Sequence, residues 1–241
     1  MLRTCALAFL VAVAPGCSRD VTAVELTREH PSQKTVAGVS FVVLFEQDAN
    51  ESSPLLVALH GRGDTAAGFA GVWRNFPAKL EIALALAPLP YGPGRAWFDW
   101  PRGMTDDALA DAVSAAEAKL WPAIAAVAHG RKVIISGFSQ GAVLAYVIAA
   151  RHPEAVAYAF PIAGRMPRPL LPREGVRTAP VYALHGTADP VIEIDAAREA
   201  IAAFTAAGAT AELHAFAGIG HTIAPAMRDD LVTHVRAVIG N

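Results

Sequence analysis

From Gly38 to the C-terminus, short apolar runs of strand length alternate with longer alanine-rich segments of helical length. A strand that is apolar at successive positions has no face to offer water, so it must be covered on both sides. Repeated strand–helix alternation meets that demand with a mostly parallel central sheet carrying helices on both faces, an α/β architecture. The runs predict strands at Val39–Phe45, Leu55–His60, Ile82–Ala87, Val133–Ser136, Ala155–Ile162, Val181–His185 and Ala211–Phe216. Helices are expected over Asp106–His129, with a kink at Pro122, and over Gly141–Ala150, Ile194–Ala207 and Pro225–Val238. At 241 residues the chain is long enough for one domain with a sizeable core and short for two. Its 54% apolar content, much of it alanine, suits helices packed on a sheet.

The N-terminus reads differently. Met1-Leu2-Arg3 precedes an apolar run from Cys5 to Ala14, too short to span a bilayer as a helix and flanked as an export signal is. The run ends in Ala14-Pro15-Gly16-Cys17-Ser18, which looks like a bacterial lipoprotein signal. Residues 1–17 are therefore expected to be a signal peptide of lipoprotein type, with Cys17 as the lipidated residue and membrane attachment through it. That places the mature protein outside the cytoplasm, periplasmic or membrane-anchored, otherwise secreted. Residues 18–37 are expected to form a linker and a first strand around Val21–Leu26, and residues 38–241 the α/β domain. Cys5 and Cys17 are the two cysteines, so that domain has no thiol for a disulfide, a metal site or nucleophilic catalysis. The net charge of -2 and the absence of a Lys/Arg cluster argue against nucleic acid as a partner.

In an open parallel sheet, ligands sit beyond the carboxyl ends of the strands. After Val133–Ser136 comes Gly137-Phe138-Ser139-Gln140-Gly141 and then a helix, the setting that a G-x-S-x-G nucleophile elbow requires. The sharp turn exposes the serine, and the flanking glycines let neighbouring backbone approach without a Cβ clash. A bare Gly/Ser pentapeptide arises often by chance, and it is the strand–turn–helix context that favours the functional reading. A serine hydroxyl is a poor nucleophile at neutral pH, so it needs an imidazole to take its proton and a carboxylate to orient the ring. Asp189 lies just beyond the strand Val181–His185, and His221 lies in the glycine-bounded loop after Ala211–Phe216. The order Ser139, Asp189, His221 is the chain order expected of such a triad. His185 is a rival for the base but precedes the acid and reads as a structural neighbour; Asp195, a rival acid, belongs in the first turn of a helix.

The oxyanion of the intermediate needs backbone N–H donors, one from the residue after the nucleophile and one from an early loop. Gln140 supplies the first, and Arg62, in His60-Gly61-Arg62-Gly63-Asp64, the second. Gly61, Gly63 and Ala66 also fit a dinucleotide fingerprint, but the next strand runs into Ala87-Pro88 where a ribose-binding acid is required. No Walker-type lysine, H-E-x-x-H pair or calcium-loop pattern occurs, so neither cofactor nor metal is implied.

Four blocks together, His60–Asp64, Arg95-Ala96-Trp97-Phe98-Asp99, Gly137–Gly141 and the Asp189 and His221 loops, resemble the phospholipase/carboxylesterase family of α/β-hydrolases, which includes acyl-protein thioesterases and small bacterial esterases. The resemblance runs from about Leu55 to the C-terminus. It implies an α/β-hydrolase fold and hydrolysis of a carboxylic ester or thioester, on a small-molecule or lipid substrate, through an acyl-enzyme. It also implies that Trp97 and Phe98 form an apolar substrate-binding wall, against the plainer reading of core packing. Family members usually carry a hydrophobic residue where Arg62 stands, and a cationic side chain at the mouth favours anionic or polar substrates. They are mostly cytoplasmic, so the export signal argues against depalmitoylation inside a cell. Within the same triad a lysophospholipid, a feruloyl-type ester or a polyester fragment is an alternative substrate. A surface lipoprotein that binds without turnover is the alternative from another class.

Overall fold

In the computed structural model, residues 32–240 are described. The leader expected at 1–17, with Cys17, and the strand expected at Val21–Leu26 lie outside them. The described chain opens with a hairpin of β1 (Ser32–Val36) and β2 (Val39–Glu46), followed by β3 (Leu55–Leu59), β4 (Leu80–Ala85) and a small separate hairpin of β5 (Leu89–Tyr91) and β6 (Gly94–Ala96). β7 (Val133–Phe138), β8 (Val156–Ile162), β9 (Val181–Gly186) and β10 (Ala211–Phe216) complete an eight-stranded sheet in the order β1-β2-β4-β3-β7-β8-β9-β10. β2 is antiparallel to both of its neighbours, and every pairing from β4 to β10 is parallel.

The core explains why the strands read as unbroken apolar runs. On β3, Leu55, Val57 and Leu59 face one hydrophobic cluster, while Leu56 and Ala58 face another. All five are fully buried, so the centre of the sheet is dry on both sides. The first cluster is closed by three helices: α2 (Asp106–Ala128) through Leu109, Val113 and Ile124, α3 (Gln140–Arg151) through Val143 and Val147, and α4 (Ile194–Ala206) through Phe204. The second is closed by α1 (Ala66–Trp73) through Phe69 and Trp73, and by α5 (Pro225–Ile239) through Met227, Leu231 and Val235. No helix among the described residues is long and apolar enough to cross a membrane.

Local chemistry sets the helix ends. Thr65 caps α1 by accepting from the Gly68 amide at 3.0 Å, and Thr105 caps α2 by accepting from Ala108 at 3.3 Å. Asp106 and Asp107 add negative charge to the first turn of α2, where the helix dipole favours it. That helix continues through Pro122 and ends at His129 in the left-handed conformation, φ 50°.

Several short elements were not expected from the sequence. β1 carries Ser32, Gln33, Lys34 and Thr35 on an exposed sheet edge, so it has no apolar signal, and it extends the sheet into residues read as linker. α1 is only eight residues long, too short for a periodicity to stand out. The β5–β6 hairpin is three residues a side and is held by a bridge between Asp64 and Arg95, far apart in sequence.

Candidate active site

Ser139 sits at the step from β7 into α3 with φ 54° and ψ -113°, a conformation that costs an L-residue on the order of 1–3 kcal/mol. Close packing of three backbones holds it there. A Cβ on Gly137 would lie 2.3 Å from the Gly141 carbonyl carbon, and one on Gly141 would lie 2.0 Å from the Leu59 oxygen. Only glycine at both positions lets β3, β7 and the first turn of α3 meet. The Ser139 amide also donates to the Ile162 carbonyl at the end of β8, 3.0 Å away.

Asp189 and His221 arrive on two loops laced together. Ala188 N–H donates to Ile219 O at 2.9 Å, Thr187 N–H to Phe216 O at 2.9 Å, and Gly218 N–H to the Thr187 hydroxyl at 3.0 Å. The result is a continuous chain of hydrogen bonds. His221 Nδ1 lies 2.7 Å from Asp189 Oδ2, and His221 Nε2 lies 3.0 Å from Ser139 Oγ. With the carboxylate accepting from Nδ1–H, Nε2 carries the lone pair that faces the serine hydroxyl. Asp189 is buried and its other oxygen accepts from the amides of Val191 at 2.8 Å and Ile192 at 2.9 Å. Burial alone would raise its pKa, but the Ile192 amide, the His221 ring and the Val191 amide outweigh it and hold the carboxyl below its ordinary range.

The rivals fall where their sequence positions suggested. His185 is buried behind the acid, donates from Nε2 to Ile192 O at 2.8 Å, and lies 3.4 Å from Asp189. Burial lowers its pKa. Asp195 is exposed in the first turn of α4 and pairs with Arg198 at 2.6 Å.

Arg62, Ser139 and Gln140 line one open cavity of about 940 Å³. The Arg62 amide donates to no partner among the described residues. The Gln140 amide belongs to the first residue of α3, where a helix leaves its N–H groups unused. His60 shapes the loop before Arg62: its Nδ1–H donates to Gly61 O at 2.7 Å, and its Nε2 accepts from Ala87 N–H at 3.1 Å. Both ring nitrogens are thereby committed to the neutral form, and burial lowers the pKa in the same sense.

Two expectations for the aromatic pair separate. Phe98 lines the cavity beside Ser139. Trp97 does not, which corrects the expectation that both form the wall. Its indole N–H donates to His60 O at 2.8 Å, its ring packs 5.3 Å from the His60 ring, and it borders a different cavity of about 770 Å³ against α2. Both residues follow β6 at a bend and are buried in the same core cluster, and both border that second cavity, but only Phe98 also reaches the cavity that Ser139 lines.

The side chain of Gln140 has a role that sequence reasoning missed. It is buried, accepts from Trp97 N–H at 3.0 Å through Oε1, and donates to Phe98 O at 2.9 Å through Nε2. The amide thus clips the 97–98 segment to the start of α3. Tyr91, Trp100 and Ile192 also line the cavity, and no local pattern marks them.

Residues 42–239 match the family described as phospholipase/carboxylesterase. Esterase YpfH of Escherichia coli (strain K12) is 29% identical over 196 residues, which cover 77% of this chain and 83% of that protein. Carboxylesterase SOBER1 of Arabidopsis thaliana is 27% identical over 187 residues, covering 68% and 82%. Among solved structures, esterase PE8 superposes with a TM-score of 0.71 at 27% identity, over 83% of this chain and 99% of that one.

Proposed function

Because this chain belongs to the phospholipase/carboxylesterase family and is a carboxylic ester hydrolase of the α/β-hydrolase fold, we propose that Ser139, His221 and Asp189 are its catalytic triad. The observation that carries the reading is the unbroken line from Asp189 Oδ2 through the imidazole to Ser139 Oγ, at 2.7 and 3.0 Å. His221 Nε2 takes the hydroxyl proton as Oγ bonds to the carbonyl carbon, and Asp189 stabilises the imidazolium that forms. The backbone N–H groups of Arg62 and Gln140 donate to the developing oxyanion. Collapse of the tetrahedral intermediate breaks the ester or thioester C–O or C–S bond, and His221 returns the proton to the leaving alcohol or thiol. Water then repeats the sequence on the acyl-Ser139 and releases the acid.

Phe98 supplies apolar surface beside the nucleophile. The substrate class is therefore a small-molecule or lipid ester. Residues 1–17 act as the export signal and Cys17 as the lipidated residue, which puts this chemistry outside the cytoplasm.

Ser139→Ala tests the core of the reading. Hydrolysis of p-nitrophenyl butyrate should fall by at least about 10⁴-fold with the circular-dichroism spectrum unchanged. A folded Ser139→Ala protein that retains the wild-type rate removes the assignment. The wild type should also label with a fluorophosphonate probe and the variant should not, since only an activated serine reacts quickly.

A further inference from the structure

We infer that the Arg62 guanidinium makes the enzyme selective for esters that carry a second, anionic group, such as a carboxylate, a few bonds from the scissile ester. The inference rests on the reading of Ser139 as the nucleophile. The cavity around Ser139 has a hydrocarbon wall that includes Phe98, Trp100 and Ile192, and its other lining residues include both Arg62 and Arg102.

Arg62 is exposed, yet its side chain is tethered. Nη1 donates to the Trp100 carbonyl at 2.9 Å, and Cζ lies 5.0 Å over the Tyr91 ring. Neither contact neutralises it, because a carbonyl and a ring face offer only partial negative charge. Arg62 has no carboxylate partner among the described residues. Arg102 is exposed and makes no hydrogen bond or ion pair among them. Asp99 is the single carboxylate lining the same cavity, so two guanidinium charges face one negative charge and the wall is net positive.

A guanidinium already held in one place loses less rotamer freedom when an anion docks on it, and its remaining N–H groups match the fork of a carboxylate. The apolar residues lining the same cavity suit a short hydrocarbon spacer. The geometry therefore selects an amphipathic anionic ester over its neutral counterpart, through the ground state and the transition state alike.

The test compares kcat/KM within two charged–neutral pairs. In one the charge is on the acyl side, mono-p-nitrophenyl glutarate against its methyl ester. In the other it is on the alcohol side, the butyrate of meta-hydroxybenzoate against that of meta-hydroxybenzamide. The acid should win in at least one pair by about three- to tenfold at low ionic strength, and salt should erode the preference. Arg62→Gln should bring that ratio to about one, Arg102→Gln should lower it, and Asp99→Asn should raise it. Because each ratio is internal to one protein, any effect of Arg62→Gln on the oxyanion amide cancels. A ratio at or below one in both pairs, or one that Arg62→Gln leaves unchanged, overturns the selectivity. Absence of turnover by the wild type on every ester, neutral ones included, is a distinct outcome that overturns the Ser139 reading and this inference with it.

Discussion

At the scale of single residues, the site depends on side chains whose protonation and backbone conformation leave no slack. Asp189 is held ionised by three donors although it is buried. Asp189→Asn keeps the shape but turns the His221 tautomer the wrong way, and kcat on p-nitrophenyl butyrate at neutral pH should fall by about 10³–10⁴-fold. Little change in kcat would mean that another group orients the ring. Gly141 tolerates no side chain, because its Cβ would stand 2.0 Å from the Leu59 oxygen. Gly141→Ala should cost about 1–3 kcal/mol or more in urea unfolding as β3 and α3 are pushed apart.

At the scale of elements, the catalytic geometry is an agreement between loops that different strands launch. The Asp189 and His221 loops follow β9 and β10, neighbouring parallel strands, and are tied to each other by backbone hydrogen bonds. Tyr182 on β9 bonds both His214 on β10 and Asp230 on α5 at 3.0 Å, so the helix that follows His221 is tied to the same strands. Gln140 plays the matching part on the other side, clipping the 97–98 segment to α3. Gln140→Ala should leave the buried Trp97 amide and Phe98 carbonyl without partners. The expected cost is about 1–3 kcal/mol for each orphaned group, seen as a lower urea midpoint, together with a loss of activity as Phe98 shifts. A neutral effect on both measurements would show that water replaces the side chain.

At the scale of the whole molecule, two buried histidines link stability to pH. His60 and His185 have pKa values below their ordinary 6.5, with burial the first cause in each case. The unfolded chain therefore takes up protons below about pH 6.5 that the folded chain refuses, and stability falls as pH drops from 6.5 through the folded values. Asp189 has the opposite displacement relative to its charged form: its stabilisation is complete above the ordinary 3.8 and is lost as pH falls through its lower folded value. The thermal midpoint should fall between neutral pH and pH 5, and His185→Gln should flatten that slope by up to one proton's worth. A midpoint independent of pH over that interval would contradict the neutral burial of both rings.

What the sequence determined alone is whatever short-range pattern can carry. Unbroken apolar runs demanded a sheet covered on both faces, as β3 shows with Leu55 and Leu56 buried in opposite clusters. Glycines two places either side of Ser139 announced a crowded turn, and the loops after β9 and β10 were marked by where those strands end. The edge strand β1 and the short helix α1 escaped because one is polar and the other brief, and each is stabilised by neighbours rather than by its own pattern. Which of Trp97 and Phe98 faces the serine, what the Gln140 amide grips, and where the Arg62 guanidinium is tethered were decided only by the tertiary structure. These are contacts between residues about forty apart along the chain. No local periodicity records a partner that arrives from so far away, because the direction of a loop side chain is set by what packs against it and not by its neighbours in sequence.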